Sequence, residues 1–150
     1  MGFAIQAAAV QDALAVLVAE RLDAEGVASC VGYPAGGPND EHVWIEGGFK
    51  AALTRRTSGG GSRLEAVKLR VRVLITKAAD EVAELRDRAL VLAAIIEDAV
   101  DDNERLGGLV ERTWVDDAEA DEGILPPPDG RRQYGITVHV AYEVTVSRSA

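Results

Sequence analysis

Apolar positions along this chain repeat with two different periods, and the switches between them mark out its elements. Over residues 6–25, Val10, Leu14, Leu17 and Leu22 recur at steps of three to five with alanine filling the gaps. That spacing predicts an amphipathic helix, and Gly26 is placed to end it. Residues 27–33 are a short apolar run that reads as a strand, closed by Pro34 and the Gly36-Gly37-Pro38 turn. Residues 42–49 alternate loosely as a second strand, with Gly47 and Gly48 marking a bulge or bend. The sharpest alternation follows. Val67, Leu69, Val71, Val73 and Ile75 share one face of a strand while Lys68, Arg70 and Arg72 line the other. Between these two strands, residues 54–62 read Thr-Arg-Arg-Thr-Ser-Gly-Gly-Gly-Ser. With no apolar anchor, residues 54–63 are expected to be a flexible hairpin tip that carries Arg55, Arg56 and Arg63.

A period near 3.6 returns over residues 78–102, where Val82, Leu85, Ala89, Leu92, Ile96 and Ala99 form one seam of a long helix. Asp80, Glu81 and Glu84 suit its start, whereas Asp98, Asp101 and Asp102 oppose the dipole at its end. A partner outside the helix would answer that cluster, and so would plain exposure to water. Leu106-Gly107-Gly108-Leu109 is a turn, and residues 109–116 suggest a fourth strand with Trp114 and Val115 partly buried. Residues 117–131 hold acids and then Pro126-Pro127-Pro128, which predicts a surface loop outside the sheet. Ile136, Val138, Val140, Tyr142, Val144 and Val146 finally alternate with polar or small residues as a long, half-buried strand. The order α-β-β-β-α-β-β predicts one α+β domain over residues 1–150. Its mainly antiparallel sheet of about five strands is packed on one side by two helices.

Charge changes this picture more than size does. Lys50 to Lys77 contains eight bases and one acid, Glu65, while Glu97 to Glu122 contains eleven acids and two bases. Two opposite poles suit head-to-tail packing of copies, which builds rings or filaments rather than two-fold dimers. Solvated surface accounts for such blocks equally well on charge alone. The net charge of −9 argues against a general nucleic-acid binder, although a local patch from Arg55 to Arg72 keeps a small nucleic-acid-binding module as an alternative. A single cysteine, Cys30, in an apolar neighbourhood reads as core, and it excludes an internal disulfide. Neither a basic leader nor an uninterrupted apolar run of membrane-spanning length is present, so a soluble protein of the cytoplasm is expected.

Catalytic and cofactor chemistry is sparse. His42 and His139 sit in strands with no cysteine or acidic pair at ligand spacing, so no metal site is expected. Cys30 with a distant histidine can be written as a nucleophile and base, but nothing local supports an activated thiolate. Gly59-Gly60-Gly61-Ser62 lacks the Gly-Lys-Ser/Thr ending of a phosphate loop and leads into a strand. The acids of residues 116–122 lack a calcium-loop pattern. No enzyme and no cofactor are expected.

The Gly32-Tyr33-Pro34 turn, the 54–62 hairpin running into the 64–75 strand, and the 78–102 helix form a familiar layout. With the Arg105-Leu106-Gly107-Gly108 turn and the closing 136–146 strand, it resembles the tail terminator proteins of long-tailed bacteriophages. Related tail-completion and head–tail joining proteins share a similar plan. The resemblance implies a virion protein forming a ring of six copies on the last ring of the tail tube. Such a ring stops tube polymerisation, presents a docking surface to the head and its connector or neck proteins, and passes DNA through its lumen. It is not enzymatic. Carried onto this sequence, Arg55, Arg56 and Arg63 become an arm that orders on contact with the tube or a neighbour. Lys68, Arg70 and Arg72 on one side, and Asp98, Asp101, Asp102 and Glu104 on the other, become the two sides of the subunit boundary.

Overall fold

A computed structural model describes residues 3–35, 37, 40–54, 62–78 and 81–147, in the order of elements that the apolar periods predict. Helix α1 (Phe3–Asp23) buries Val10, Leu14, Val18 and Leu22, an unbroken row at steps of four. Leu17 is only half-buried, because the i, i+4 row from Leu14 passes through Val18 instead. Gly26 ends this segment at φ +68, a left-handed conformation that lets the Val27 N–H reach back to the Leu22 carbonyl at 3.3 Å. The second helix, α2 (Val82–Asp101), starts four residues later than its pattern suggests, with Glu81 at its N-cap and Asp80 outside the described residues. Its seam is as expected: Leu85, Ala89, Leu92, Ile96 and Ala99 are buried.

Five strands complete the fold: β1 (Ala28–Val31), β2 (Glu41–Thr54), β3 (Ser62–Lys77), β4 (Arg112–Ile124) and β5 (Arg132–Ser147). They form one sheet in the order β1-β2-β3-β5-β4. Three of the pairings are antiparallel, but β1 runs parallel to β2, so the sheet is mixed. Both helices cover the same sheet face, α1 over β1, β2 and β3 and α2 over β3, β5 and β4. Against them lie Val67, Leu69, Val71, Val73 and Ile75 of β3, and Ile136, Val138, Val140, Tyr142 and Val144 of β5. The alternation in both strands therefore reads correctly. Burying apolar surface at roughly 25 cal/mol per Å² makes this two-layer core the main source of stability.

One polar contact fixes how α1 sits on the sheet. The β2 register slips between Ile45 and Phe49, around the Gly47-Gly48 pair. A bulge leaves ladder carbonyls unmatched, and Gln11, almost fully buried on α1, donates its amide to the Glu46 and Gly47 carbonyls at 3.0 and 3.1 Å. Glu65 is a carboxyl group inside the core. It lies fully buried on the core face near Tyr142. Burial, reinforced by the Glu65 charge, pushes the Tyr142 phenol up to about 12.

The acidic segment is the main correction to the sequence reading. Residues 117–124 are not a loop: they belong to β4, which pairs with β5 from Arg112↔Glu143 to Ile124↔Arg132. Only residues 125–131 form the connection, closed by the Leu125 N–H on the Arg131 carbonyl at 2.8 Å. An edge strand next to a long partner needs no apolar faces of its own, because the backbone ladder holds it, and acids there block unwanted edge pairing. Past Val115, every β4 side chain is accordingly exposed.

Candidate functional site

The sheet face away from the helices carries the basic row of β3, with Lys68, Arg70 and Arg72 at alternate positions. Each holds a carboxylate. Arg70 pairs with Glu46 on β2 at 2.7 Å, Lys68 with Asp116 at 2.5 Å, and Arg72 with Asp121 at 2.9 Å. Asp116 and Asp121 belong to β4, two strands from β3, a gap of roughly 10 Å at the usual strand spacing. The long side chains cross β5 where its own residues are small. Lys68 lies opposite Ala141, and Arg72 passes Thr137, donating to Thr137 Oγ1 at 3.1 Å.

Gly135 completes that passage. A Cβ there would collide with the Arg72 guanidinium and, at 2.7 Å, with Asp121 Oδ1. The Arg72 side chain is accordingly the least exposed of the three, at 19%. Hydrogen bonding and attraction within the Lys68–Asp116 pair push the lysine above its usual range and the aspartate below its own. Beside these pairs, Phe49, Lys50, Lys68, Arg70, Asp117 and His139 line a hollow of about 250 Å³. His139 Nε2 stands 3.7 Å from an Asp117 carboxylate oxygen.

An aromatic corner closes the β1 side. Trp44 and Leu74 are buried, and Tyr33 meets the Trp44 ring edge-on with centroids 5.5 Å apart. Cys30 lies here, half-buried on the open face rather than in the main core, and its Sγ is 3.7 Å from His42 Nε2. The parallel register Ala28↔His42, Cys30↔Trp44 brings them together, and sequence spacing gave no hint of that pairing. Burial raises the thiol above its usual 9.0 and lowers the imidazole below its usual 6.5. Near neutral pH both are therefore uncharged, the opposite of a thiolate–imidazolium nucleophile. Among the described residues, no three His, Cys, Asp or Glu side chains converge to hold a metal ion.

The helix-end acids lie in the other layer. Asp98 and Asp101 are exposed on the last turns of α2, Glu104 is exposed in the turn beyond, and Asp102 pairs with Arg21 of α1 at 2.9 Å. The structure thus separates these acids from the β3 bases by the thickness of the domain. Arg55 and Arg56 lie outside the described residues. For Arg63 the backbone position is described, opposite Val146.

What the sequence reading missed is that β4 supplies the carboxylates for two of the β3 bases. The small residues Gly135, Thr137 and Ala141 on alternate positions of the last strand are the signal that could have exposed it. No helix of the described residues is long and apolar enough to cross a membrane. No protein-family model matches the chain, and no curated protein sequence matches it.

Proposed function

We propose that this chain is a structural subunit that assembles head-to-tail into a ring, in the manner of a phage tail terminator. The ring would have six copies, cap the tail tube and offer the surface on which the head docks. The observation that carries the reading is the α-β-β-β-α-β-β order with a long β2–β3 hairpin and one sheet face left uncovered by helices. Support also comes from the charge: bases are concentrated on β3 and its hairpin, and acids on the α2 end and on β4. The α2-end acids lie in the helix layer, away from the β3 row on the open sheet face, and unlike surfaces of that kind suit heterologous ring contacts.

Its partners under this reading are further copies of itself, the tail tube protein and the connector or neck proteins, with DNA passing through the lumen. A nucleic-acid-binding role for the basic row has less support, since Lys68, Arg70 and Arg72 already hold carboxylates that a phosphate would have to displace. Negative-stain images of the purified protein at low salt test the proposal. Rings with a central hole are expected; particles of single-subunit size, unchanged by added tube protein, would overturn it.

A further inference from the structure

β4 is the last strand of the sheet, and among the described residues no element pairs with its outer edge. An unpaired edge offers a row of backbone N–H and C=O groups to any extended segment. Here the edge is also strongly acidic, with five acids and no base over residues 116–122. Lys68 and Arg72 neutralise Asp116 and Asp121. Glu119 and Glu122 remain exposed and form no ion pair among the described residues. Asp117, Glu119 and Asp121 are opposite His139, Thr137 and Gly135, so the three carboxylates follow one another at alternate positions on one side of the edge.

The chain contains one segment of matching chemistry. Residues 54–63 carry Arg55, Arg56 and Arg63, no acid and no apolar side chain. Within one molecule the two cannot meet. Thr54 pairs with Leu64, whereas Asp117 and Asp121 align, through β5, with Arg70 and Leu74. Leu64 lies six to ten residues from those positions, roughly 20–33 Å along the strand. Two strand spacings add roughly 10 Å across the sheet. Arg55 and Arg56 are one and two residues from Thr54, which allows them about 7 Å of backbone and a side chain of similar length. Arg55 and Arg56 of one molecule therefore fall short of its own Asp117–Asp121 stretch.

We infer that the acidic edge of β4 receives the segment between β2 and β3 of a second copy, residues 55–61 with Arg55 and Arg56, as an added strand that links protomers head-to-tail. This inference deepens the ring reading above, and rests on it, by naming the contact between subunits. It moves the acidic side of the boundary from the helix-end cluster to the sheet edge. Backbone pairing would hold the contact and the arginines would select its direction; two β4 edges, both acidic, repel each other.

Sedimentation at low and high salt tests the contact with two variants, Arg55→Glu/Arg56→Glu and Glu119→Arg/Glu122→Arg, each checked for an unchanged melting temperature. The wild type should assemble at low salt and dissociate as salt rises. Each variant alone should stay monomeric, and an equimolar mixture should assemble again, because each reversed surface finds its complement on the other variant. A peptide of residues 52–65 should lower the wild-type mass, which provides a second readout independent of variant folding. Assembly by either variant alone, or a mixture that stays monomeric with no effect of the peptide, overturns the contact. Rings that ignore the reversals would discard this contact and leave the ring reading standing. Rescued assembly that forms only open chains would keep the contact and discard the closed ring.

Discussion

Removing Arg88 should loosen the junction of three elements and should do so in a pH-dependent way. From the middle of α2 the Arg88 guanidinium donates to both oxygens of Glu41 at the start of β2, at 2.8 and 3.1 Å, and to Glu25 beyond α1 at 2.9 Å. Lys77, the last residue of β3, adds a third contact to Glu41 at 2.9 Å. Exposed pairs contribute about 0.2–1 kcal/mol, and breaking a fully buried one costs about 3–5 kcal/mol. With side chains 27% and 19% exposed and a two-pronged geometry, Arg88–Glu41 falls between these limits. Arg88→Met should therefore cost about 2 kcal/mol, or about 4–8 °C in melting temperature for a domain of this size.

The acid limb supplies the sharper test. Hydrogen bonds from Arg88, ahead of those from Lys77, hold the Glu41 carboxyl below its ordinary 4.5 despite its burial. A depressed carboxyl contributes stability that is complete above the unfolded value and is lost as pH falls through the folded one. Thermal or urea unfolding of the wild type, Arg88→Met, Glu41→Gln and the double variant measures the coupling. It should be about 1–2 kcal/mol at pH 7 and fade below pH 4.5. A coupling under about 0.5 kcal/mol at pH 7, or one that persists unchanged at acid pH, would refute the assignment.

Three other outcomes follow from the packing. The Tyr142 hydroxyl is buried without a hydrogen-bond partner among the described residues, so Tyr142→Phe should be neutral or stabilise by up to about 1 kcal/mol; a loss above about 2 kcal/mol in urea unfolding would mean that the hydroxyl is bonded. Gly135→Val should drive the Arg72 guanidinium off Asp121 and Thr137 and cost about 1–3 kcal/mol; wild-type stability in a melt would show that the guanidinium yields freely. Cys30, with its thiol raised by burial, should react with a thiol reagent at pH 8 several-fold more slowly than in the urea-unfolded chain, and equal rates would contradict its placement.

The two-layer fold was legible because period is a local property. Val67 to Ile75 and Ile136 to Val144 alternate within themselves, and Leu85 to Ala99 step by three and four; each pattern states which side is buried before any partner is known. Edge strands break that logic. Residues 117–124 are exposed on both sides, so no apolar alternation announced them, and the β5 ladder that holds them is a long-range pairing. The same limit hid the Cys30–His42 contact, which depends on β1 running parallel to β2. As for the charged surface, its members were readable but their partners were not: Lys68 and Arg72 reach across β5 to Asp116 and Asp121, and only the sheet order places those acids within range.

A consequence concerns how the boundary should be probed. Reversing Lys68, Arg70 and Arg72 together would set glutamates beside Glu46, Asp116 and Asp121 and disturb the sheet itself, so lost assembly in that variant would have two causes. The exposed carboxylates of Glu119 and Glu122 hold no ion pair among the described residues and give a cleaner handle.

The most direct measurement for the central claim is native mass spectrometry of the intact protein from a volatile buffer of low ionic strength. A closed ring predicts a dominant species at six times the 15.9 kDa protomer, with no ladder of longer chains. A spectrum of monomer alone at every concentration, with or without tail tube protein, would contradict it.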